Sequence, residues 1–345
     1  MKKRLLAIAA LALFATPSFA APPKWAIVVH GGAGVIERKD LTPELDKAYR
    51  DAMNAAVAKG SKILADGGGA MDAIEAVVRD LEDDPLFNAG RGAVFTADGR
   101  NELDAAFMDG KTLKAGAVAG VTRTKHPITL ARAVMEKSKH VMLIGQGADA
   151  FAASQGVEQV DPSYFFTERR WQGLVKALTA QGLPIPPRPA GAPAPQAFTP
   201  IPDDRKYGTV GVVALDSAGN IAAGTSTGGT VAKRWGRVGD SPIIGAGTYA
   251  SNQSCAVSAT GTGEFFIRLT VARDICALVQ YGKAPLQKAA DTVVQQQLTA
   301  LGGDGGVIAV APDGQIAWSF NTPGMYRASA AEGRPTVVSI YKDEP

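Results

Sequence analysis

Histidine is almost missing from this chain: His30, His126 and His140 are the only three in 345 residues. A serine hydrolase of the α/β type needs a histidine base that follows its serine in chain order. Gly224-Thr225-Ser226-Thr227-Gly228 has the spacing of a nucleophile elbow, and His30-Gly31-Gly32-Ala33-Gly34 reads like an esterase oxyanion turn. All three histidines precede Ser226, so the elbow has no base and is a decoy. Cysteine is equally sparse, with only Cys255 and Cys276. No zinc-type Cys/His spacing, HExxH or phosphate loop occurs, which excludes the common metal-activated waters. The two cysteines are either a disulfide or buried thiols. Gly145-Gln146-Gly147-Ala148-Asp149-Ala150 imitates a dinucleotide fingerprint, but the acid required about twenty residues on is absent and Glu158 comes too early. It reads as a tight strand-to-helix turn.

Charge imbalance is lacking as well. Lys2, Lys3 and Arg4 precede an apolar run, Leu5 to Phe14, and the small residues Ser18-Phe19-Ala20. This is the pattern of a cleaved export signal over residues 1–20, too short to span a bilayer. The full chain has 36 basic and 33 acidic residues. Three of the bases and none of the acids sit in the leader, so the mature chain balances to zero and offers no electrostatic case for nucleic acid. An exported, periplasmic protein with no membrane span in its mature form is expected.

Glycine, by contrast, is abundant, with 39 residues, and implies many tight turns. The periodicity predicts a strand over 25–30 running into a glycine turn, helices over 42–64 and 70–81, and strands over 93–96, 103–108 and 116–121. Further helices are expected at 127–137, 148–154 and 165–178, with a short strand at 141–144. Leu183 to Asp204 carries eight prolines and reads as an exposed linker without packed structure. Beyond it, 211–223 and 306–318 repeat one hairpin pattern, with helices expected at 265–281 and 286–301 between them. Strands and helices in blocks suggest antiparallel sheet under helix layers.

The linker ends at Tyr207-Gly208-Thr209-Val210-Gly211. A threonine exposed there as a new N-terminus needs neither histidine nor metal. Its own α-amine, with an unperturbed pKa of about 7.7–8.0, can take the hydroxyl proton. Taken alone, Thr209 reads more simply as a β-branched residue opening a strand.

A series of motifs weighs in favour of the first reading. Val29-His30-Gly31-Gly32-Ala33-Gly34, Phe87-Asn88-Ala89-Gly90-Arg91-Gly92, Leu103-Asp104-Ala105, Met108-Asp109-Gly110 and Gly208-Thr209-Val210-Gly211 occur in order. They are followed by Thr225-Ser226-Thr227-Gly228-Gly229, Gly236-Arg237-Val238-Gly239-Asp240-Ser241-Pro242, Thr260-Gly261-Thr262-Gly263-Glu264 and Phe320-Asn321-Thr322-Pro323-Gly324-Met325. In these the sequence resembles the plant-type L-asparaginase and isoaspartyl peptidase family of N-terminal-nucleophile hydrolases.

The resemblance implies an α+β fold, a four-layer αββα sandwich, made as a precursor that cuts its own Gly208–Thr209 bond. Residues 21–208 would form an α subunit and 209–345 a β subunit of one domain, in an (αβ)2 assembly. Thr209 would be the nucleophile, Thr227 its activating partner, and Thr260 with the Gly261 N–H the oxyanion hole. Arg237 and Asp240 would hold the substrate's α-carboxylate and α-ammonium, with Val238, Gly239, Thr262, Gly263 and Asn88 lining the same site. His30 would be a packing or turn residue. No catalytic cofactor is implied. One structural sodium is, held by the backbone carbonyls of Leu81, Glu82, Asp84, Phe87, Ala89 and Arg91. The implied reaction is hydrolysis of L-asparagine and β-aspartyl dipeptides. The related glycosylasparaginases are the alternative, as is an unprocessed binding protein of the same fold. Glycine rather than aspartate before the nucleophile favours the asparaginase branch.

Overall fold

Short runs of alanine, valine and isoleucine punctuated by glycine form narrow strands that pack closely on both faces. The computed structural model describes residues 24–34, 36–194 and 208–344. The leader at 1–20 and the linker stretch 195–204 lie outside the described residues. The first part of the chain contains β1 (Ala26–Gly34), α1 (Pro43–Ala65), α2 (Ala70–Asp83), β2 (Leu103–Asp109) and β3 (Ala115–Val121). It continues through α3 (Pro127–Lys137), β4 (Met142–Ile144), α4 (Gly145–Ser154) and α5 (Glu168–Ala180). The second part opens with β5 (Val210–Leu215), β6 (Ile221–Thr227), β7 (Thr248–Ala250) and β8 (Ala256–Gly261). Helices α6 (Gly263–Leu269), α7 (Val271–Gln280) and α8 (Leu286–Asp291) follow, then β9 (Gly305–Val310), β10 (Ile316–Phe320), β11 (Gly324–Ala331) and β12 (Val337–Tyr341).

Two sheets result, in the orders β12-β11-β1-β5-β6-β2-β3-β4 and β10-β9-β8-β7. Among the named strands of the described residues, β3 and β4 are the pair that run parallel. Helices α1 to α3 bury Met53, Ile74, Val77, Leu81, Ile128 and Val134 against the outer face of the larger sheet. Val28, Val213, Ala223, Ile308 and Met325 fill the space between the sheets. Phe266, Ile275, Val293 and Leu298 join the smaller sheet to α6–α8. This is the four-layer αββα sandwich. Strands β5 and β6 lie in the middle of the larger sheet, bonded to β1 on one side and β2 on the other. A cut between Gly208 and Thr209, just ahead of β5, would therefore leave both pieces interleaved in one hydrogen-bonded sheet.

Several sequence expectations need correction. The glycines after His30 do not form a turn; β1 runs on through them to Gly34, with a bulge between His30 and Gly32 that keeps its pairing with β11. Residues 93–96 form no strand, only an isolated bridge from Thr96 to Lys233. The helix expected at 265–281 is broken by Thr270, whose φ of 48° is left-handed. The helix after Leu286 widens into a π-type segment over Thr292–Leu298. The described start of the linker is tethered: Pro186 packs against Gly99, and Arg188 bonds Glu168 at 2.6 Å. Both expected hairpins occur, as β5–β6 and β9–β10.

Cys255 and Cys276 form a disulfide across 21 residues, tying the start of β8 to α7. Closing a loop of that size in the unfolded chain is worth about 3 kcal/mol. Replacing both by serine is expected to lower the extrapolated unfolding free energy in urea by about that amount, with a lower midpoint and a somewhat larger m-value because the uncrosslinked chain unfolds to a more expanded state. An unchanged midpoint would show that the bond contributes nothing.

Candidate functional site

Thr209 immediately precedes β5, where strand pairing holds its backbone at the centre of the larger sheet. Thr227 ends the neighbouring strand β6, and both side chains are buried. The Thr209 hydroxyl donates to Thr227 Oγ at 3.1 Å. Thr227 in turn donates to the Gly208 carbonyl at 3.2 Å and accepts the Gly229 N–H at 3.0 Å. One direction of donation thus runs from the Thr209 hydroxyl through Thr227 to the Gly208 carbonyl. Asn88 adds a second donor to that carbonyl, its amide nitrogen lying 2.7 Å from Gly208 O and 2.7 Å from Gly229 O. Its own oxygen accepts from Val94 N–H, so the amide is fixed and fully used. The Gly208 carbonyl oxygen therefore sits between two donors, the Thr227 hydroxyl and the Asn88 amide. Two donors on one carbonyl oxygen can stabilise negative charge that develops on it.

A second group holds charge. Arg237 donates to Glu264 twice, Nε to Oε1 and Nη2 to Oε2, each at 3.0 Å. The forked contact fixes the guanidinium plane. Asp240 is buried with no partner for Oδ2, and burial pushes its carboxyl up to about 6. Gly263 lies between the two: a Cβ there would come within 2.9 Å of Asp240 Oδ1 and 3.0 Å of Arg237 Nη2. Only glycine lets the backbone approach both. Val238 is half-buried, and Gly239 is buried under the Arg237 guanidinium. An unpaired buried carboxylate next to a fixed guanidinium suits a ligand carrying both an ammonium and a carboxylate.

Asp104 connects the two groups. It faces Thr227 across β2–β6, and its carboxyl feels Arg237 while Asp240 feels Asp104. Burial raises the Asp104 pKa. Lys233, itself buried, lies 3.8 Å from Asp104 Oδ2 and 3.0 Å from the Glu102 carbonyl. Thr260 reaches across from the smaller sheet, its hydroxyl accepting Ala33 N–H at 3.4 Å. Thr262 is held by Asp304 through its N–H and its hydroxyl. His30 lies between the sheets with Nε2 2.9 Å from Ser258 Oγ. Burial drives its imidazole down to about 3, so it is neutral and packs as expected. Ser226 points the other way from Thr227 and donates to Glu82 Oε1 at 2.6 Å, which confirms the elbow as a decoy.

The carbonyls of 81–91 can be tested for a cation by how the glycine turn meets them. A Cβ at Gly90 would lie 2.2 Å from Glu82 O, and one at Gly92 would lie 2.0 Å from Phe87 O. The turn therefore packs its backbone directly onto the Glu82 and Phe87 carbonyl oxygens, while the Asp84 and Ala89 carbonyls accept from Phe87 and Gly92 N–H. The Glu82 side chain is not part of that ring; it bonds Ser226 and Ile128 N–H and is pushed up to about 8 by burial. Among the described residues no cluster of three or more His, Cys, Asp or Glu could hold a metal.

The sequence model of the asparaginase family matches residues 23–340. The chain belongs to this family. It is 49% identical over 322 residues to the isoaspartyl peptidase of Escherichia coli K12, covering 93% of this chain and 97% of that one. It is 43% identical over 327 residues to a probable isoaspartyl peptidase/L-asparaginase 2 of Arabidopsis thaliana, covering 92% and 99%. The plant-type L-asparaginase of Pyrococcus furiosus is 42% identical over 309 residues, covering 89% and 97%. Against the family pattern, Glu264 and Asp104 stand inside recognised motifs but had no role assigned from sequence. Lys233 had none either, because a Lys-Arg pair in a glycine-rich loop looks solvated until the fold buries it.

Proposed function

We propose that the chain is a self-processing amidohydrolase that releases L-aspartate from L-asparagine and from β-aspartyl dipeptides. The observation that carries this is the Thr209–Thr227–Gly208 relay, with Asn88 as second donor to the scissile carbonyl. In the intact chain Thr209 Oγ attacks the Gly208 carbonyl carbon, the C–N bond breaks, and the acyl group moves to oxygen. Water then hydrolyses the ester, giving a Gly208 carboxylate and a free Thr209 α-amine. The departing carbonyl frees one Asn88 N–H toward the site.

In turnover the α-amine takes the Thr209 hydroxyl proton as oxygen attacks the substrate's side-chain carbonyl. Thr260 Oγ and Gly261 N–H stabilise the resulting oxyanion. The protonated amine passes its proton to the leaving ammonia or amino acid, and water releases aspartate from the acyl-enzyme. Arg237 and Asp240 grip the α-carboxylate and α-ammonium that both substrates share. Sodium at the carbonyls of Leu81, Glu82, Asp84, Phe87, Ala89 and Arg91 would brace the loop that carries Asn88. Residues 1–20 would direct export to the periplasm, where the Cys255–Cys276 bond is stable, and the processed chains would assemble as (αβ)2.

Assay of L-asparagine, β-aspartyl-leucine and an N-glycosyl asparagine side by side tests the reading. Turnover of the first two is expected. Turnover of the glycosyl substrate alone would contradict it.

A further inference from the structure

Apolar side chains such as Val28, Val213, Ala223, Ile308 and Met325 fill the space between the two sheets, and one polar group interrupts them. In the larger sheet His30, Gly211 and Thr225 stand side by side across β1, β5 and β6. In the smaller sheet Thr248 and Ser258 stand opposite each other across β7 and β8. The two rows meet. Ser258 Oγ lies 2.9 Å from His30 Nε2 and 2.7 Å from Thr225 Oγ. The Thr248 hydroxyl is shared between Thr225 Oγ at 2.7 Å and the Ser241 carbonyl at 3.0 Å. Gly211 supplies the opening, since a Cβ there would overlap both Ser258 Oγ and His30 Nε2. His30, Thr225, Thr248 and Ser258 are all fully buried.

Apolar contact has no preferred direction, so packing alone defines the register of one sheet on the other only loosely. A buried polar group that loses its partner is costly. Here the partners meet only when Ser258 enters the opening at Gly211, which selects one register. The catalytic groups form the neighbouring row. Thr209 stands two residues from Gly211 and Thr227 two from Thr225, and the two threonines bond each other. Because β1 runs antiparallel to β5, Ala33 lies beyond His30 toward the Thr209 end. Thr260 follows Ser258 by two residues on β8, and its hydroxyl accepts that Ala33 N–H. Thr260 therefore lies on the Thr209 side of the contact between the rows.

We infer that Ser258, with Thr225 and His30 as its partners, is a positioning residue that locks the smaller sheet on the larger and so holds Thr260 at the nucleophile. The inference rests on the proposed function, in which Thr260 Oγ and Gly261 N–H stabilise the oxyanion of turnover. Self-cleavage draws on other groups. Its relay of Thr209, Thr227 and Gly208 with Asn88 takes nothing from the smaller sheet. Turnover needs both sheets in register, whereas processing needs one. Loss of the lock should therefore slow turnover and spare processing.

The test uses the full chain with Ser258→Ala, Thr225→Val and, as the conservative control that keeps the hydroxyl, Thr225→Ser. Self-cleavage is followed on SDS gels, and kcat and KM for L-asparagine are measured on the processed proteins. Ser258→Ala and Thr225→Val are each expected to lower kcat about tenfold, with KM within about twofold and self-cleavage within about threefold of wild type. Thr225→Ser is expected to return kcat to within about twofold. The double variant should lose no more than about twofold beyond either single one, because one contact serves both. An unchanged kcat, a loss in KM instead, or equal slowing of cleavage and turnover overturns the inference. So does insoluble protein from both single variants, which would make the contact a requirement of folding. Wild-type protein that cuts itself but hydrolyses neither asparagine nor a β-aspartyl dipeptide would overturn the proposed function first, and this inference with it.

Discussion

Thr209→Ala is expected to remain a single chain indefinitely and to lose turnover by at least about 10⁴-fold, because one atom serves both reactions. Thr209→Ser keeps that atom and should still split, but more slowly. The γ-methyl limits the rotamers of a threonine, and serine samples more of them in the same site. The hydroxyl is held at 3.1 Å from Thr227 Oγ in the intact chain, so a freer rotamer spends less time on that line. Thr227→Val provides the companion result. It keeps shape and burial and removes only the oxygen that accepts from Thr209 and donates to Gly208. Loss of about 10²-fold or more in self-cleavage is expected, in the range for one donor to a developing oxyanion. SDS gels over a time course would read both.

Asp240→Asn is expected to raise KM for asparagine and β-aspartyl dipeptides by about 10², with a smaller effect on kcat. The carboxyl is buried without a partner for one oxygen, which is why burial pushes it up to about 6. Its sign follows from that shift. Above pH 6 the group is charged and ready for an ammonium; as pH falls through 6 it takes up a proton and the grip is lost. KM should therefore climb on the acid side of about 6, and the asparagine variant should flatten that limb. The same raised value means that the empty protein loses some stability as pH rises from about 4 to 6, since the unfolded chain gives up this proton first. Substrate or aspartate should restore it, measurable as a larger ligand-induced rise in Tm at pH 7 than at pH 5.

Antiparallel sheet under helix layers was legible because strands and helices carry strong periods and come in blocks; the four-layer αββα sandwich followed from the family resemblance. The two hairpins at 210–227 and 305–320 were visible from their repeated glycine spacing. The exit of the chain from Pro-rich linker into β5 marked Thr209. Elsewhere local pattern and tertiary structure parted. A glycine run reads as a turn, yet β1 continues through it, with a bulge between His30 and Gly32 and pairing to β11 as far as Gly34, which no local preference could reveal. The break at Thr270 has no proline or glycine to announce it; its left-handed φ of 48° ends α6 and begins α7.

At the site, residues that the motifs single out come together, Thr209 bonding Thr227 and Arg237 near Asp240. What could not be read was the support. Glu264 sits 27 residues from Arg237, and Lys233 lies over a hundred residues from the Glu102 carbonyl it bonds. Such pairs are set by how the two sheets and the 228–240 loop fold over one another. Charge in a glycine-rich loop gives no sign of whether it will be buried.

The central claim is that the chain cuts itself between Gly208 and Thr209. Intact-mass analysis of the purified protein after long incubation decides it. Two species are predicted, the smaller beginning Thr209-Val210-Gly211-Val212, with Thr209→Ala as one uncut mass. A wild-type protein that stays one chain, or a Thr209→Ala variant that still splits at this bond, would contradict the account.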